Sequence, residues 1–76
     1  MTVEEALKLI GIDPSEIVRD ESEEYSDFVL FGSYKDEQID VSDEGTVFVI
    51  SLGVGRKNFR VHKIKGTVEE FQIVVA

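Results

Sequence analysis

Two short runs set the terms on which this chain can fold. Residues 27–35 (DFVLFGSYK) and 46–52 (TVFVISL) carry apolar side chains at consecutive positions. A strand points successive side chains to opposite faces, so both runs predict strands that are apolar on each face. In the first, Phe28 and Leu30 share one face and Val29 and Phe31 the other; in the second, Val47 and Val49 oppose Phe48 and Ile50. Such strands need cover on both sides. The 76 residues hold no cysteine, so neither a disulfide framework nor a thiolate zinc site can reinforce a thin core. The chain reads as one small domain, 1–76.

The remaining segments supply cover and turns. Thr2 with Glu5 forms a capping-box pattern, and Val3, Ala6, Leu7 and Ile10 recur at helical spacing before Gly11, predicting a helix over residues 3–10. Asp13-Pro14-Ser15-Glu16 repeats the start signal, predicting a second short helix that carries Ile17 and Val18 and ends near Asp20. Residues 20–24 (DESEE) contain no apolar residue and read as a loop. After the first long strand, where Gly32 suggests a bulge or bend, Lys35-Asp36-Glu37 turns into a strand over 38–42 with Ile39 and Val41 inward. Asp43-Glu44-Gly45 fits a hairpin loop leading into the central strand over 46–52. Gly53-Val54-Gly55 connects to a more polar strand over 57–64, and Lys65-Gly66 turns into a last strand over 67–75. Thr-Val-Glu-Glu occurs at 67–70 as well as at 2–5, so a terminal helix is the alternative there; the β-branched run Ile73-Val74-Val75 favours a strand. The expected architecture is α+β, with one or two short N-terminal helices packed on a strongly curved, mainly antiparallel sheet of about five strands. Curvature would let the sheet cover its own second face; a partner is the other way to cover it.

Chemistry finds few footholds. His62 is the one histidine, set between Arg60 and Lys63 with no Asp or Glu within five residues to orient it, and it reads as a surface strand residue. Asp36, Gln38 and Asp40 begin the spacing of a calcium loop, but Val41 stands where glycine is required. Gly53-Val54-Gly55-Arg56-Lys57 has two glycines of a phosphate-cradling loop, lacks the third, and precedes a strand instead of a helix. The expectation is a protein without catalytic residues, cofactor or metal.

Charge is the most distinctive feature. Eight Lys and Arg face sixteen Asp and Glu, a net charge of −8, which argues against binding a phosphate backbone or an anionic membrane. No stretch approaches the ~20 apolar residues of a membrane-spanning helix, and the start, Met1-Thr2-Val3-Glu4-Glu5, is acidic where a secretory leader is basic; a cytoplasmic protein is expected. Through Gly45, fourteen acids stand against three bases, a net of −11; from Thr46 onward, five bases stand against two acids, a net of +3. An acidic surface of this kind steers association with a basic partner. The residues expected to form it are Asp20, Glu21, Glu23 and Glu24 in the loop, with Asp36, Glu37, Asp40, Asp43 and Glu44 on the hairpin. In charge and size, with no shared motif, the chain resembles the small acidic inhibitors that phages and mobile elements direct against host nucleic-acid enzymes. The leading expectation is a non-catalytic module of that type, occupying a basic, nucleic-acid-binding protein surface without touching nucleic acid itself. The alternative is a structural subunit that forms a homodimer or larger assembly through a sheet face or the terminal strand.

Overall fold

The computed structural model describes residues 1–20, 29–53 and 57–72. Its elements are helix α1 (Val3–Leu9), a single 3-10 turn (Pro14–Glu16), and strands β1 (Ile17–Arg19), β2 (Leu30–Tyr34), β3 (Glu37–Asp43), β4 (Val47–Leu52), β5 (Lys57–His62) and β6 (Val68–Phe71). The six strands form one antiparallel sheet in the order β1-β2-β3-β4-β5-β6, and among the described residues it does not close into a barrel. This is an α+β domain.

Helix α1 begins and ends on local signals. The Thr2 amide donates to Glu5 Oε1 (3.0 Å) and the Glu5 amide to Thr2 Oγ1 (3.2 Å), which satisfies two N-terminal donors reciprocally. At the other end Gly11 takes φ +82°. The Ile12 amide then reaches Leu7 O (3.0 Å) and the Gly11 amide Lys8 O (3.1 Å), the double bond of a glycine-closed helix. Ala6 and Leu7 are fully buried. With Ile12 they pack on Leu30, Ile39, Val41, Phe48, Ile50 and Val61, which the register places on one face of β2 to β5. Full burial of each large aliphatic side chain contributes about 1.5–3 kcal/mol.

The second helix departs from expectation. Asp13 does cap it, accepting from the Ser15 amide (3.0 Å), but the helix stops after one turn at Glu16. Ile17 and Val18 instead pair with Tyr34 and Ser33 and add a sixth strand. Two consecutive β-branched residues lose little in a strand, and ladder bonds to β2 outweigh one further helical turn. Gly32 also differs: the β1–β2–β3 register runs through it without an extra residue, so no bulge forms. Its role is clearance, because a Cβ there would collide with the Val18 carbonyl oxygen and stand 3.0 Å from Val18 C and Arg19 Cα. The repeated Thr-Val-Glu-Glu is a strand at its second occurrence, where Val68 pairs with Val61 and Phe71 with Asn58. Residues 27, 28 and 73–75 of the expected strands lie outside the described residues.

Two turns govern where the acidic residues fall. Lys35 (φ 47°) and Asp36 (φ 66°) are both left-handed and close the β2–β3 hairpin in two residues, as the twist of the paired strands demands. Gly45 (φ +89°) closes β3–β4, with its amide donating to Asp43 Oδ1 (3.0 Å). No helix among the described residues is long and apolar enough to cross a membrane.

Candidate functional site

The hairpin acids are distributed, not gathered. Asp36 and Glu37 sit at the β2–β3 turn, whereas Asp43 and Glu44 sit at the β3–β4 turn. The seven residues of β3 separate these two groups by roughly 20 Å at ~3.3 Å per residue. Asp40 lies between them on the sheet face turned away from α1, half-buried. The four-residue spacing of 36, 40 and 44 therefore traces no edge row, since β3 is flanked by β2 and β4. Asp20 is exposed just beyond β1, with its amide donating to Phe31 O (2.7 Å). It borders an open groove of about 390 Å³ lined also by Val18, Phe31, Ser33 and Gln38. Glu21, Glu23 and Glu24 lie outside the described residues.

Several acids serve the fold. Asp43 receives Lys63 Nζ at 2.5 Å, and that ammonium also stands 4.3 Å from the centre of the Phe48 ring. The Lys63 hydrogen bond, followed by the Gly45 amide, holds the Asp43 carboxyl below the usual carboxylate range. Glu69 accepts from Arg60 (3.4 Å) and faces His62 Nε2 (2.7 Å), and the His62 bond is the main reason its carboxyl is likewise lowered. Arg19 reaches Glu4 at 3.8 Å. In contrast, Asp36, Glu37 and Glu44 are exposed and enter no ion pair among the described residues. Arg60 and Lys63 of the second half are thus matched within the fold, Lys57 and Lys65 enter no ion pair among the described residues, and an acid surplus is left facing water.

The face away from α1 is mixed, not apolar throughout as the sequence pattern suggests. Val47 is buried and Phe31 and Val49 half-buried, but Ser33, Gln38, Asp40, Ser42, Ser51, Asn58, Arg60 and His62 interleave with them. One cross-strand row runs Phe31, Asp40, Ser51, Asn58, Phe71 over β2 to β6. Ser51 Oγ donates to Asn58 Oδ1 (2.8 Å), and Ser51 and Gln38 are within hydrogen-bonding reach of Asp40. Burial raises the Asp40 carboxyl above its ordinary range despite those two bonds. Asn58 is 1% exposed, and its Nδ2 has no hydrogen-bond partner among the described residues.

Sequence reasoning missed this row and the His62–Glu69 pair. Glu69 is seven residues from His62, and only the hairpin register over Lys63–Gly66, with the His62 amide donating to Thr67 O (2.9 Å), brings them together. No three His, Asp or Glu side chains among the described residues form a group that could hold a metal ion. The fold and surface define the class as a small acidic α+β domain built on a six-stranded antiparallel meander. Comparison finds no matching family model, no matching curated protein and no matching solved structure.

Proposed function

We propose that the chain is a non-catalytic binding module that presents carboxylates to a basic protein surface. In its most concrete form it is a cytoplasmic inhibitor, of the kind carried by phages and mobile elements, that occupies the nucleic-acid-binding surface of a host enzyme. The observation behind this reading is the charge partition. Lys63, Arg60 and Arg19 engage Asp43, Glu69 and Glu4, while Asp36, Glu37 and Glu44 remain exposed in a chain of net charge −8. Unmatched surface carboxylates raise the rate of encounter with a basic partner and discourage acidic ones. The loop acids Glu21, Glu23 and Glu24 and the adjacent Asp20 belong to the same proposed surface. A strongly curved sheet is part of the proposal too, and the close approach of the β1 backbone to Gly32 favours it.

The test uses two baits against lysate of the source cells: the wild-type chain, and a variant with Asp36→Asn, Glu37→Gln and Glu44→Gln. The reading expects a captured nucleic-acid-binding protein that duplex DNA displaces. Its association with the wild type should slow as salt rises, because exposed charges are screened over ~8 Å at physiological ionic strength. Equal capture by both baits, or association that ignores salt, overturns it.

A second reading rests on β6, which ends the sheet and offers an edge for another strand. As a homodimer it would place Glu69 and Glu70 opposite like charges in a symmetric antiparallel pair, which weakens this reading. It requires a solution mass that rises with concentration.

A further inference from the structure

We propose that Asp40, Ser51 and Asn58 form a hydrogen-bond relay in which the proton on Asp40 sets which end of the Asn58 carboxamide faces Ser51. The three residues are consecutive cross-strand partners on one face, Asp40 opposite Ser51 and Ser51 opposite Asn58. Ser51 stands between two acceptors with a single hydroxyl hydrogen. Its Oγ is 2.8 Å from Asn58 Oδ1, and Asp40 stands directly opposite it across the β3–β4 ladder, where facing side chains meet.

With Asp40 protonated, the chain of donors is consistent. The Asp40 hydroxyl would donate to Ser51 Oγ; Ser51 donating to Asn58 Oδ1, with Asn58 Nδ2 lacking an acceptor among the described residues, is the arrangement the structure has. With Asp40 ionised, the carboxylate claims the Ser51 hydrogen. Ser51 Oγ and Asn58 Oδ1 would then be two acceptors in contact, so the carboxamide turns and Nδ2 donates to Ser51. The orphan donor gains a partner, and an oxygen takes the unpartnered place. Burial makes the exchange consequential: Asn58 is 1% exposed, so water cannot readily meet either end, and a buried donor left unmet is unfavourable.

Among the described residues, the surroundings leave the choice to this relay. On the same face, Asp40 is flanked along β3 by Gln38 and Ser42, across β2 by Phe31, and diagonally on β4 by Val49, none of which titrates. The charged described groups on this face lie farther out: Asp20 beyond β1, Arg60 and His62 on β5, and Glu69 on β6. Arg60 and His62 are both engaged by Glu69.

Nuclear magnetic resonance of the full chain tests the relay. The Asp40 side-chain carboxyl carbon and the two Asn58 δ-amide protons are followed across Asp40's titration, with backbone spectra reporting that the fold persists. In the wild type, one Asn58 δ proton should shift downfield and exchange roughly tenfold more slowly, relative to its twin, as Asp40 loses its proton, with a shared midpoint. Asp40→Asn, whose amide can donate to Ser51 as the acid does, should show the protonated pattern at neutral pH, where acid unfolding is no concern. Ser51→Ala should leave the Asp40 titration visible and remove the linked change at Asn58. Asn58 signals that ignore the Asp40 titration, that follow it equally in Ser51→Ala, or that match the wild-type neutral pattern in Asp40→Asn overturn the proposal.

Discussion

Replacing Gly32 with alanine tests the packing of β1 directly, because local propensity and structure disagree on the sign. Glycine inside a strand is entropically unfavourable, and its replacement by alanine at an accommodating site stabilises by about 0.4–1 kcal/mol. Here the site does not accommodate it. The new Cβ would run into the Val18 carbonyl oxygen and stand 3.0 Å from Val18 C and Arg19 Cα, all backbone atoms that cannot rotate aside. β1 must therefore lift away from β2. At stake are the pairings Ile17–Tyr34, Val18–Ser33 and Arg19–Gly32 and the bond from the Asp20 amide to Phe31 O. Ile17 would also withdraw from the edge of the core. At a net ~1 kcal/mol per hydrogen bond, losing two to four bonds costs about 2–4 kcal/mol. Set against the propensity gain, the variant should be less stable by roughly 2 kcal/mol, a fall in Tm of about 8–16 °C for a domain this small. Urea and thermal unfolding followed by circular dichroism give the magnitude, and amide exchange gives the place. Protection should fall at residues 17–20 and 31–34 and persist across β3, β4 and β5. A variant as stable as the wild type or more so refutes the argument.

Two other perturbations probe the termini of the elements. Thr2→Ala removes the acceptor of the Glu5 amide and should destabilise by about 1 kcal/mol in urea titration, whereas Thr2→Ser should stay near wild type. Asp43 has a folded-state carboxyl below its ordinary range, so the unfolded chain binds its proton first as pH falls. Its contribution is therefore full above the unfolded value and lost as pH drops through the lower folded one. The stability gap between wild type and Asp43→Asn should shrink as pH falls below about 4; a gap that widens on acidification contradicts the sign.

What the sequence made legible was local. The Thr2–Glu5 box, the Gly11 stop, the Gly45 turn and the inward alternation of Ile39 and Val41 each depend on neighbours a few residues apart, and each appears as read. The failures involve decisions made by distant chain. Ile17 and Val18 follow a sound helix cap, yet β2 recruits them into the sheet. Gly32 suggests a bulge or a bend; the register excludes the bulge, and the backbone that the glycine admits comes from β1. The acids of the hairpin form a regular series along the chain, but the two turns carry Asp36 and Glu44 to opposite ends of β3, with Asp40 midway between them. Asn58 gave no signal in the sequence at all, since its meaning comes from Ser51 on the adjoining strand.

The strand order has a kinetic consequence. Every strand pairs with the one next to it along the chain, so the sheet can zip from hairpin to hairpin with small loop-closure penalties, a route that favours rapid folding. Helix α1 follows a different schedule. Leu7 joins a cluster that includes Phe48, Ile50 and Val61, residues more than forty positions further on. On a ribosome α1 is made before the sheet it packs on, and its cover is complete only when β4 and β5 have joined β2 and β3. The slow, exposed interval in this protein's folding thus belongs to its N-terminal turns, and the strands at the far end of the chain decide how long it lasts.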